Sequence, residues 1–161
     1  YVHLLMDKLN AVRPDSAFCI CQLADWERLY KNGSQTHHNY ENACDFDADI
    51  IIARFIENCP ADNFDNEIFK REMDALLNYL NKSKRAKLIV TTGFWRHPGD
   101  AAILEYAKEK NIPCVELGDL GEMDEMKAIG LFEHEGVANH PGDLGMKHIA
   151  ERIFVEIEKL I

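Results

Sequence analysis

The chain has 161 residues, 47% hydrophobic and 29% charged, with 18 Lys+Arg set against 28 Asp+Glu for a formal net charge of −10. This length and balance predict a single globular domain, 1–161, with enough apolar residues for a core, and exclude a disordered chain. An acidic chain without a basic stripe repels phosphate backbones, which argues against a nucleic-acid partner, and no apolar run reaches membrane-spanning length.

In chain order, Val2, Leu5, Leu9 and Val12 recur at helical spacing and predict a helix over 2–12, stopped near Pro14. The stretch AFCICQL (17–23) reads as a strand that sets Cys19 and Cys21 on one face as buried thiols. DWERLY (25–30) reads as a short helix and residues 31–47 as a long polar loop. ADIIIARF (48–55) carries a continuous apolar run, which suits a strand covered on both faces, as in a parallel sheet. Phe69, Met73, Leu76, Leu77 and Leu80 predict a helix over 66–82.

AKLIVTTG (86–93) and PCVEL (113–117) are the next strands, separated by a helix over 100–111. A last helix carries Met146, Ile149, Ile153, Ile157 and Leu160 on one stripe. Strands alternating with helices predict an α/β fold with a parallel sheet covered on both sides. The five cysteines are odd in number and lack CxxC spacing, so neither a disulfide framework nor a metal site is expected. The chain opens on YVHLLMDKL, with no initiator Met and no signal peptide, and a helical pattern starts at its first residue. A segment upstream of Tyr1 is therefore expected, and the cellular compartment is not legible.

Open parallel sheets bind ligands beyond the carboxyl ends of their strands. That edge should hold Asp25 to Asp47, Glu57 and Asn58, Thr91 to His97, and Glu116 to Asp124. Ser16 and Ser83 precede strands and fall on the opposite edge, leaving Ser34 as the one serine on the favoured side. The tetrapeptide HPGD occurs twice, at 97–100 and 140–143, each time where a helical pattern begins. Pro and Asp suit a helix start, the Asp complementing the positive helix end, but this explains neither histidine.

The surroundings of His140, GVANHPGDLGMKHIAERIF, resemble the last sequence block of the SGNH (GDSL-type) hydrolases, where a His-Pro pair leads into the final helix. ADIIIARFIEN is similar to that family's third block, in which an apolar strand ends in a loop carrying an Asn. LIVTTGFW and IPCVEL fit its later strands, so the resemblance covers most of the chain. It implies a three-layer, flavodoxin-like fold and ester hydrolysis by a Ser/His mechanism. His140 would be the general base and Asn58 an oxyanion-hole donor; Glu57, Trp95 and His97 would contact substrate, with His97 alternatively structural. The substrate implied is a small-molecule or carbohydrate acyl ester, and the reaction needs no metal and no cofactor.

The chain also departs from the family pattern. The block with the nucleophilic Ser would lie upstream of Tyr1, together with the first strand of the sheet. Both are expected from an upstream segment or a partner chain. Val137 stands where an Asp usually precedes the His, which leaves Glu133, Glu135 or a backbone carbonyl to orient the ring. The second block's Gly has no clear counterpart, Ala24 being the nearest small residue. A non-catalytic ligand-binding or assembly module on the same fold is the competing expectation.

Other clusters read as less specific. His37, His38, Glu41, Cys44 and Asp47 lack repeated ligand spacing and suit a solvated loop; Glu133, His134 and Glu135 need no ion to be explained. Asp119, Glu122, Asp124 and Glu125 read as an acidic face, and no GxGxxG or GxxxxGK[ST] motif is present. Trp26, Phe94 and Trp95 fall near the ligand edge as core, rim or sugar-stacking aromatics.

Overall fold

A computed structural model describes every residue, Tyr1–Ile161. The helices are α1 (Val2–Val12), α2 (Ala24–Arg28), α3 (Glu41–Phe46), α4 (Asn66–Leu80), α5 (Asp100–Lys110), α6 (Glu135–Ala138) and α7 (Asp143–Glu158). The strands are β1 (Ile50–Arg54), β2 (Lys87–Thr91) and β3 (Cys114–Val115). They form an open, all-parallel sheet in the order β1-β2-β3, so the fold is α/β. No helix is long and apolar enough to cross a membrane. The chain forms two compact units, one of Tyr1–Phe18, Phe94–Arg96 and Val115–Ile161, the other of Cys19–Gly93 and His97–Cys114.

In the second unit β1 and β2 run in register from Ile50↔Lys87 to Arg54↔Thr91, and the Val90 N–H reaches the Pro113 carbonyl at 3.0 Å on the other side of β2. The helix α4 starts where the Asp65 carboxylate accepts from the Ile68 N–H, and it buries Phe69, Met73, Leu76 and Leu77 along one stripe. Phe69 is fully buried at the centre of an aromatic cluster, with Trp26, Tyr30, Phe55 and Phe64 all within 6.2 Å of its ring centroid. In the first unit α1 packs on α7, Leu5 being buried in α1 and Ile149, Ala150, Ile153 and Ile157 in α7.

Several sequence expectations are corrected. Residues 17–23 form no strand, because no neighbouring strand pairs with them: residues 17–22 make no backbone–backbone hydrogen bond. Cys19 and Cys21 are exposed, not buried. The stretch 31–47 is not a loop: Tyr30–Tyr40 is largely 3-10 helix, kinked at Asn32, and runs into α3. Its buried residues Tyr30, Gly33 and Thr36 recur at the three-residue period of that helix, Tyr40 following four residues on, and the Thr36 hydroxyl donates to the Gly33 carbonyl. The strand read at 113–117 shrinks to two residues, and α7 ends before Leu160.

Emptying the aromatic centre should be costly. Phe69→Ala is expected to destabilise the protein by about 3–5 kcal/mol in urea unfolding. A loss below about 1 kcal/mol would place the main core elsewhere.

Candidate functional site

Loops leave the carboxyl ends of β1 and β2, and the one after β1, together with Thr92, Gly93 and His97 after β2, lies in the second unit. The loop at 55–59 is held at nearly every residue. Phe55, Ile56 and Cys59 are buried, the Arg54 guanidinium pairs with the Glu57 carboxylate, and the Cys59 N–H closes a turn on the Ile56 carbonyl. Ile56 has φ +90°, a conformation that a β-branched residue avoids at a cost of about 1–3 kcal/mol. Asn58 is exposed, yet its Nδ2 donates to Glu27 Oε2 at 2.6 Å.

Glu27 was not singled out from the sequence. It lies on α2, only 3% exposed, and its Oε1 is buried without a hydrogen-bond partner. Burial pushes its carboxyl above the ordinary value, and the nearby Glu57 charge adds to this. The Asn58 side chain and the backbone N–H groups of Glu57 and Asn58 act in the opposite direction. The Cys59 thiol is driven strongly upward by burial, with Glu27 contributing. No sequence pattern marks this site, because a charged residue in a short helix is ordinarily solvated.

His97 is consumed by the start of α5. Its Nδ1 accepts from the Gly99 N–H at 3.0 Å, so in the neutral ring Nε2 carries the proton and donates to the Cys59 carbonyl at 3.2 Å. The Asp100 carboxylate takes the N–H groups of His97 and Gly93. Both ring nitrogens are thus engaged in tying the loop at 55–59 to the start of α5.

His140, in the first unit, is held differently. The chain before α7 lies against 126–128: the Ala128 N–H donates to the His140 carbonyl, the Gly142 N–H to the Met126 carbonyl, and Lys127 bridges Pro141. A Cβ at Gly142 would sit 2.7 Å from the Lys127 carbonyl oxygen, so only glycine permits this approach. The exposed His140 ring places Nδ1 2.8 Å from the Gly136 carbonyl of α6. A carbonyl only accepts, so the neutral ring is protonated at Nδ1 and bare at Nε2. Trp95 packs against the ring at 86° with centroids 4.9 Å apart, and its own Nε1–H donates to the Asn139 carbonyl. Glu133 and Glu135 make no hydrogen bond to the ring. Of the three orienting groups left open by the sequence, the backbone carbonyl is the one in contact.

The remaining candidates resolve simply. The Ser16 hydroxyl donates to the Arg13 carbonyl, the Ser34 N–H donates to Glu72, and Ser83 accepts from the Arg85 N–H; none of the three serines is hydrogen-bonded to a histidine. His37 stacks on Tyr79 and is not part of a solvated loop. Asp119 and Glu122 pair with Arg152 and Arg96, which hold both carboxyls below their ordinary values. No three His, Cys, Asp or Glu side chains come together in a way that could hold a metal ion. No family model, curated protein or solved structure matches the chain.

Nitrogen shifts of the imidazoles test these assignments. In the neutral ring, His140 should show a pyrrole-like Nδ1 and a pyridine-like Nε2, and His97 the reverse; a shared pattern would refute one of the two. A second test follows from Glu27, whose folded state holds its proton more tightly than the unfolded chain does. Stability should fall as pH rises from near 4.5 through the raised folded value. Glu27→Gln should remove that fall, so that its urea midpoint gains on wild type with rising pH. Parallel curves would contradict the burial effect.

Proposed function

We propose that the chain is the part of an SGNH-type ester hydrolase that carries the base and an oxyanion donor, acting on small O-acyl esters, carbohydrate esters among them. A serine from outside the 161 residues attacks the acyl carbon while His140 Nε2 takes its proton. Asn58 Nδ2–H donates to the resulting oxyanion. His140 returns the proton to the leaving alcohol as the C–O bond breaks, and water then releases the acyl group from serine by the same steps. The reading entails a flavodoxin-like sheet completed by a further strand, from an upstream segment or another chain.

The observation that supports this most is the state of the His140 ring. A Gly136 carbonyl at 2.8 Å stands in for the acid missing at Val137, fixing the tautomer in which the exposed Nε2 has its lone pair available. Trp95 braces the ring edge-on and is the aromatic nearest to the base along that face.

The polypeptide as isolated from its natural source should hydrolyse p-nitrophenyl acetate and take up a fluorophosphonate on one serine outside the 161 residues. His140→Ala should lower kcat by about 10²–10⁴-fold. Turnover that survives this substitution unchanged would reject His140 as the base. A complete lack of turnover and labelling would favour a ligand-binding or assembly module.

A further inference from the structure

We infer that Glu27 is a positioning residue that aims the Asn58 amide, taking one of its two Nδ2 hydrogens and leaving the other for a ligand oxygen. This rests on the hydrolase reading above for the identity of that oxygen, but the geometry stands in the second unit by itself. An asparagine amide on an exposed loop ordinarily turns freely between solvent partners. Here the Nδ2 is fixed at 2.6 Å from a carboxylate that is 3% exposed and sits on a different element, α2. The two hydrogens of Nδ2 diverge, so a bond to the buried side directs the second away from Glu27.

The backbone that carries Asn58 is equally constrained. Ile56 holds φ +90° although it is β-branched and 1% exposed, and a cost of that kind persists only where the surroundings over-determine it. Those surroundings are the Arg54–Glu57 pair, the Ile56–Cys59 turn and the His97 Nε2–H on the Cys59 carbonyl. A donor that must meet developing charge without reorganising requires such fixation on both backbone and side chain.

The groups that act on Glu27 are the Asn58 amide, the Glu57 carboxylate, itself paired with Arg54, and the backbone N–H groups of Glu57 and Asn58; Glu27 in turn faces the Cys59 thiol. The ionised carboxylate accepts from Nδ2. The protonated carboxyl can instead donate to Oδ1, which turns the amide over. The aim of Asn58 is therefore linked to the Glu27 proton.

The side-chain amide of Asn58 in ¹H–¹⁵N spectra reads this directly. In wild type the two protons should be well separated and should shift in one step as Glu27 titrates. Glu27→Gln should keep the separation and lose the step, and Glu27→Ala should collapse the pair toward the free-amide position. Circular dichroism and thermal melts check that both variants remain folded. In the ester assay Glu27→Ala should lower kcat by about 10-fold or more, a share of what an oxyanion donor supplies, with KM changed by less than about twofold. Glu27→Gln should recover most of the loss and flatten the pH profile on its acidic side.

An Asn58 pair that is identical in wild type and Glu27→Ala overturns the inference, whatever the ester assay gives. So does ester turnover that depends on His140 but is indifferent to Glu27→Ala. If no ester is turned over, the hydrolase reading fails by itself, and the amide spectra alone decide whether Glu27 aims Asn58.

Discussion

The parallel pairing of β1 with β2 is the constraint on which the second unit depends. Its register ends both strands together, Ala53 beside Val90 and Arg54 beside Thr91, so the chain leaves both strands at the same edge of the sheet. One departing loop carries Asn58 and the other turns through His97 into α5. A single bond from the His97 ring to the Cys59 carbonyl then fastens them together. Beneath, the aromatic cluster around Phe69 packs both against α4 and α2, which is how Glu27 comes to lie under Asn58. The polar arrangement at this edge is a product of strand register and aromatic packing acting together.

The repeated tetrapeptide shows how one local device acquires two chemistries. Both copies start a helix. At 97 the ring finds a backbone N–H two residues ahead and must accept with Nδ1. At 140 it finds a carbonyl four residues behind, in α6, and must donate with Nδ1. The same four residues therefore present opposite tautomers, and only one of them leaves a ring nitrogen bare. What decides between them is the short helix before the second copy, not the copy itself.

Much of the fold was legible in the sequence, because helical stripes and buried apolar runs are local statements. The positions 69, 73, 76 and 77 are buried in α4 as their spacing predicts, and IIIA and KLIVT became adjacent parallel strands. The failures share a cause. The stretch 17–23 has strand-like composition, but a strand exists only with a partner, and its own residues do not encode one. The polar run at 31–47 and the Tyr30 before it hide a three-to-four-residue spacing of buried positions, Tyr30, Gly33, Thr36 and Tyr40, that a search for apolar residues passes over. Among the candidate residues, His140 and Asn58 were marked by their sequence neighbourhoods. Glu27 was silent, since nothing local distinguishes a carboxylate that will be buried by distant residues.

The unpaired stretch beginning at Cys19 has a consequence for the colloidal behaviour of the protein. Backbone outside any helix or strand, without backbone–backbone hydrogen bonds and bearing an Ile20 that is 63% exposed, offers another copy a place to pair. What opposes such stacking is long-range repulsion from the ten excess negative charges. That repulsion weakens as salt shortens the screening distance and as acid neutralises carboxylates. Dilute, low-salt, mildly alkaline solution is therefore the regime in which single molecules persist.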